Sequence, residues 1–189
     1  MRDPWQSFLV FVRNPSEPIY PQVSTQERWQ QILGYFFKVK LAGTFLILFF
    51  LILGELAGLY DPIEAHSYDF EESLILVFIL YVALGPIIEE GIFRYFLGKY
   101  RSHSFFPILY YVSSCLFGAI HLFNFELGPS HTFFMPLISL PFIFAGLVYG
   151  FIRITYGFWY AVGMHMMYNL MIFLLDILTE WIDQLMKSM

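Results

Sequence analysis

Glu89 and Glu90 stand side by side, with Arg94 shortly after them, at the end of a stretch from Ser73 to Ile88 that carries no charge. An ionised side chain near the middle of a bilayer costs about 2.5–3.5 kcal/mol on insertion scales, so adjacent glutamates there need partners or a polar cavity. In a helix, Glu90 and Arg94 meet on one face, while Glu89 points about 100° away and has no local partner. A carboxylate in apolar surroundings holds a proton more readily than one in water, which suits a base that must deprotonate water. The segment therefore assigns Glu90 and Arg94 to a structural ion pair and Glu89 to chemistry. Taken alone, it also fits three residues resting in the headgroup layer.

Two further apolar runs carry isolated polar groups. His121 follows Phe117-Gly118-Ala119-Ile120, with Asn124 and Ser114 on the same helical face. His165 and Asn169 are one helical turn apart and present their polar tips side by side, and Asp176 continues that stripe. A lone histidine in a membrane helix is often only a packing residue. Three runs that each hold ionisable or amide groups are more than packing requires. Counting about 1.5 Å per residue places Glu89 roughly 15 Å from Lys99, His165 roughly 14 Å from Tyr156, and His121 about 19–24 Å from the start of its span. His121 is thus expected one or two turns deeper than the others.

The elements that must position these residues are set by composition. The chain has 189 residues, 58% hydrophobic, 21% aromatic and only 13% charged, which excludes ordinary soluble composition, where about a quarter of residues are charged. The expected fold is all-α, a polytopic transmembrane helix bundle of about five spans, or six if the N-terminal part holds one more. The net charge of −5 gives no sign of nucleic-acid binding, and the single cysteine, Cys115, excludes an internal disulfide. Residues 1–34 read as an N-terminal cytoplasmic or interfacial segment broken by Pro4, Pro15, Pro18 and Pro21, and residues 35–189 as one transmembrane domain with its motif core at 73–175.

The spans are expected at about 35–53, from 73 past the two glutamates, and at 105–124, 132–152 and 156–175. Lys38 and Lys40 can snorkel to the headgroups from the first span. Pro86 cannot donate to the carbonyl of Val82, which predicts a bend or a wet gap beside the acids, and Pro136 and Pro141 should distort the fourth span. Arg2, Arg13, Arg28, Lys38 and Lys40 precede the first span, Arg94, Lys99 and Arg101 close the second, and Arg153 closes the fourth. That bias puts the N-terminus in the cytoplasm and makes a plasma (inner) membrane the expected location.

A peptide bond is cut by water when a base removes the proton and donors receive the charge forming on the carbonyl oxygen. Glu89 with His121 can hold and deprotonate a water, and His165 with Asn169 can donate to the oxyanion. A divalent metal such as zinc held by Glu89, His121 and His165, with a fourth position open to water, satisfies the same residues. No serine-nucleophile elbow and no His-Glu-x-x-His helix is present. Substrate must reach residues two or three helical turns deep, so a cavity open to the cytoplasm or to lipid is implied.

Glu-Glu-x-x-x-Arg at 89–94, Phe-x-x-x-His at 117–121 and His-x-x-x-Asn at 165–169, in this order on successive spans, resemble the CPBP family of intramembrane proteases. That family includes the CAAX prenyl endopeptidase of the Rce1 type and bacterial abortive-infection or bacteriocin-immunity proteins. The resemblance implies that Glu89 is the catalytic glutamate, His121 its partner in water activation, His165 and Asn169 the oxyanion pair, and Glu90 and Arg94 the supporting positions. It implies a metalloprotease label, alongside a metal-free glutamate mechanism. Membrane lipid and a peptide or protein substrate, prenylated or bacteriocin-like, are the implied partners. Tyr95 departs from the glycine many members carry, and five spans are fewer than the usual six to eight. The alternatives are an immunity or membrane-partner binding protein without hydrolysis and an ion- or proton-coupled carrier, which the absence of paired halves disfavours.

Overall fold

A computed structural model describes residues 3–16, 23–65 and 73–188. They form helices α1 (Pro4–Arg13), α2 (Thr25–Leu56), α3 (Leu74–Tyr100), α4 (Phe106–Ile120), α5 (Leu140–Thr155) and α6 (Phe158–Ser188). Five stretches are long and apolar enough to cross a membrane: α2, α3, α4 with the turn running to Asn124, α5 with the turns running from Pro129, and α6. The protein is an integral multi-pass membrane protein with an all-α fold. Among the described residues, extended pairing is confined to β1 (Glu64–Ala65) and β2 (Phe125–Glu126). Arg2, Pro18, Pro21 and the acidic residues late in the first connection lie outside the described residues.

Prolines set several helix starts, because the first turn has no backbone acceptor to lose. Pro4, Pro107, Pro136 and Pro141 all sit there. The fourth span is accordingly broken into Pro129–Phe134, Met135–Ile138 and α5, which is the distortion expected of Pro136 and Pro141. Inside α3, Pro86 follows a wide π-helical stretch, Phe78–Leu84, and opens the α-helical stretch Gly85–Phe93. The wide turn absorbs the hydrogen bond that proline cannot make.

α5 is the axis of the bundle. The span it closes, Pro129–Thr155, is the most buried of the five, and α5 touches α1, α2, α4 and α6. Glycines allow the close approach to α4. A Cβ on Gly146 would stand 2.9 Å from Ser114 Cα, and one on Gly150 would stand 2.8 Å from the ring of Tyr110. Across the same seam the Tyr110 hydroxyl donates to the Leu147 carbonyl at 2.6 Å.

Two expectations about the N-terminal region are corrected. The first span starts at Thr25, ahead of Tyr35, under a Ser24–Glu27 capping box. Lys38 is exposed, but Lys40 is only 1% exposed and does not snorkel. Residues two apart on a helix face opposite ways, so one lysine looks outward and the other into the bundle. α1 lies against the bundle through Phe8 and Phe11, whose rings meet Phe151 edge-on or tilted. At the far end of α2, Ser130 donates to Asp61 Oδ2 at 2.6 Å, His131 Nε2 lies 3.0 Å from the Asp61 carbonyl, and Tyr60 packs on Phe134. These contacts tie the first connection to the one before α5.

Gly146→Leu should lower stability by about 1–3 kcal/mol, since the seam has no room for a side chain. Gly91→Ala, where nothing lies within 4 Å, should leave it unchanged or slightly raised. Thermal unfolding of the detergent-solubilised variants measures both.

Candidate active site

The polar residues of three spans meet beside α5. Glu89 and Glu90 lie on the stretch of α3 that Pro86 opens, Arg94 caps that stretch, and His165 and Asn169 sit in the first half of α6. His121 begins a tight 3₁₀ turn, His121–Asn124, where α4 ends. The depth difference counted along the sequence does not separate them. α3 is interrupted between Phe93 and Leu97, so the helical rise does not hold from Glu89 to Lys99.

Glu90 is fully buried and is the hub of the polar contacts. Its Oε1 accepts from Arg94 Nη1 at 3.1 Å and lies 3.0 Å from His165 Nδ1. The Arg94 guanidinium is also fully buried and stacks 3.7 Å from the centre of the Phe117 ring. The His165 ring is stacked on Tyr149 with centroids 4.6 Å apart. His121 Nδ1 lies 2.7 Å from the Phe117 carbonyl, and its ring stacks on Phe142. Each Nδ1 stands against an oxygen acceptor, and a ring that donates from Nδ1 and is neutral has its lone pair on Nε2.

Both lone pairs face one atom. Glu89 Oε2 is 3.7 Å from His121 Nε2 and 3.8 Å from His165 Nε2, too far for direct hydrogen bonds, and it has no hydrogen-bond partner. About a third of the Glu89 side chain is accessible, and it faces a cavity of about 420 Å³. His121, His165, Asn169 and Tyr149 line the same cavity, whose apolar wall includes Leu48, Ile138 and Phe142. Asn169 Nδ2 donates one hydrogen to the Tyr81 carbonyl at 3.0 Å and keeps a second. The arrangement is a basic carboxylate flanked by two imidazole acceptors, with an amide donor nearby.

Residues 71–171 match the family of type II CAAX prenyl endopeptidases described as Rce1-like. The chain belongs to this Rce1-like family. No curated protein and no solved structure matches it. The family match spans α3 to the first half of α6 and contains Glu89, Glu90, Arg94, His121, His165 and Asn169. The Rce1-like match makes the chain a member of a protease family, with a peptide as the substrate class.

Several groups at this Rce1-like site were not singled out as site residues from the sequence. Lys40, Tyr149 and Tyr168 line the cavity, and the Tyr81 carbonyl holds Asn169. The signal for Lys40 was a charge inside an apolar run with Thr44 one turn on. Tyrosines carried none, since the chain has 13 of them. Asn124 lines the cavity, whereas Ser114 bonds back to the Tyr110 carbonyl and Asp176 is not among the lining residues. Glu89, His121 and His165 offer a carboxylate and two imidazoles, a donor set that zinc accepts. Among the described residues, however, no group of three His, Cys, Asp or Glu is gathered closely enough to hold a metal ion.

Arg94→Met should destabilise the protein by about 3–5 kcal/mol, because it strands the buried carboxylate of Glu90. Glu90→Gln/Arg94→Met should recover most of that loss in thermal unfolding. Equal melting of the single and double variants would mean that the pair is not the buried hub of the site.

Proposed function

We propose that the protein is an intramembrane endopeptidase that hydrolyses membrane-associated or lipid-modified peptides with water activated by Glu89. The observation that carries this reading is the unpartnered Glu89 Oε2, 3.7 Å from His121 Nε2 and 3.8 Å from His165 Nε2, on a side chain that lines the cavity. A water there donates one hydrogen to Glu89 and the other to an imidazole lone pair. Glu89 takes its proton as the oxygen attacks the peptide carbonyl carbon, and the carbonyl oxygen becomes an oxyanion. Collapse of that intermediate breaks the C–N bond, and the proton held by Glu89 passes to the leaving nitrogen. The products are a carboxylic acid and an amine, and the remaining hydroxyl proton passes from the acid to the amine, leaving a carboxylate and an ammonium group.

In this reading His165 and Asn169 take different roles. The free hydrogen of Asn169 Nδ2 is available to an oxyanion. His165 commits Nδ1–H to Glu90, so its Nε2 is an acceptor in the neutral ring and serves the water. Arg94 and Glu90 act through His165 by fixing its ring. The substrates this reading implies are membrane-associated peptides, prenylated and CAAX-like or bacteriocin-like. The cationic residues near the start of α2 and the ends of α3 and α5 favour a cytoplasmic N-terminus in the plasma membrane.

Glu89→Gln should lower peptide cleavage by purified protein by about 10²–10⁴-fold with unchanged melting. Asn169→Ala should cost about 10²–10³-fold, mostly in kcat. Undiminished cleavage by Glu89→Gln would refute the assigned base. Loss of cleavage with full cellular protection against a bacteriocin would point to binding without hydrolysis as the cellular role. Activity that survives exhaustive chelation supports the glutamate route. Loss that zinc restores would reassign Glu89, His121 and His165 as ligands.

A further inference from the structure

Lys40 reaches the cavity from α2, a helix outside the family match. It sits near the middle of Thr25–Leu56, on the turn Phe36–Leu41 where the helix widens, and is 1% exposed. Its Nζ donates to Thr44 Oγ1 at 2.9 Å and lies 3.6 Å from the centre of the Tyr168 ring. An ammonium has three hydrogens to place, and a hydroxyl with an aromatic face satisfies them only in part. Among the described residues no carboxylate lies within 4.0 Å of it. An ammonium in such a place lacks a counter-ion, and an anion entering the cavity would supply one.

The surroundings narrow what that anion is. Lys40 shares the cavity with Glu89, His165 and Asn169, so an anion bound there belongs to a molecule whose reacting group lies beside the water site. Along α2 the wall continues from Lys40 and Thr44 through Leu48, Leu51 and Ile52 to Glu55 at the end of the helix away from Lys40, and Ile138 and Phe142 stand on the other elements. A mostly apolar peptide segment carrying one negative charge fits that lining. We propose that Lys40 is a specificity-determining subsite that binds a carboxylate of the substrate and thereby fixes which peptide bond meets Glu89. This rests on the endopeptidase reading above. The carboxylate is either the chain terminus or an acidic side chain, and the two share the same chemistry at Nζ.

The test uses a fluorescent apolar peptide in three forms: with a free C-terminal carboxylate, with a C-terminal amide, and as the amide with one Glu near that end. kcat/KM is measured for wild type, Lys40→Met and Lys40→Arg, each checked by thermal unfolding. Wild type should favour at least one carboxylate-bearing form over the plain amide by about 10- to 100-fold, the range of one charged hydrogen bond. The ratio should fall to about one in Lys40→Met and be partly kept in Lys40→Arg, and the favoured form identifies the source of the charge. Equal wild-type values for all three forms, or a preference that survives Lys40→Met, would overturn the proposal. Fluorescence anisotropy with Glu89→Gln and Glu89→Gln/Lys40→Met separates this from the protease reading. If wild type cleaves nothing, that reading fails, and tighter binding of a carboxylate form that depends on Lys40 still upholds the subsite. Equal binding of all three forms to Glu89→Gln overturns it.

Discussion

A carboxylate shut away from water has to be matched by donors within hydrogen-bond reach. In this bundle one oxygen of Glu90, Oε1, is matched by Arg94 at 3.1 Å and by His165 at 3.0 Å. Neither Glu90 nor Arg94 has any exposed surface, so leaving one without the other would be severely unfavourable in an interior surrounded by lipid. The chain of contacts therefore fixes the separation of α3 and α6, and with it the ring of His165. Glu89 follows from this by helical geometry. Once Glu90 points at Arg94, its neighbour must point elsewhere, and here it points into the cavity.

The backbone accommodates that placement with local departures from regular helix. The wide turn Phe78–Leu84 ahead of Pro86 shifts the register of α3 and brings the Tyr81 carbonyl to Asn169. A second wide turn, Phe36–Leu41, turns Lys40 inward from α2. The 3₁₀ turn after Ile120 carries His121 to the same place from α4. Such turns are frequent where side chains must be aimed. Around them the packing is tight, with Phe117 against both Arg94 and His121 and with Tyr149 against His165. The lipid-facing side is the converse, a belt of exposed Phe45, Leu46, Phe49 and Phe50 on α2 and Ile75 and Ile79 on α3.

Much of this was legible in the sequence because lipid makes polar residues informative. Glu89, Glu90, Arg94, His121, His165 and Asn169 stood out as polar groups in apolar runs, and the spans followed from hydropathy and proline. What stayed hidden depends on tertiary placement. Lys38 and Lys40 look alike as letters, and only the packed helix separates an exposed cation from a buried one. The start of α2 was missed because Thr25 to Tyr35 is polar enough to read as interface, although a capping box at Ser24 was there to see. His165 and Asn169 carry equal polarity in sequence. They differ in the acceptors they meet, Glu90 and the Tyr81 carbonyl.

The account turns on both imidazoles presenting unprotonated Nε2 atoms to Glu89. Nitrogen-15 spectra of histidine-labelled protein in lipid bilayers, assigned with His121→Asn and His165→Asn, read the protonation of each ring nitrogen directly. At neutral pH the two histidines should show protonated Nδ1 and unprotonated Nε2, and Glu90→Gln should disturb His165 while sparing His121. Finding Nε2–H on either neutral ring, or the same response of both rings to Glu90→Gln, would contradict it.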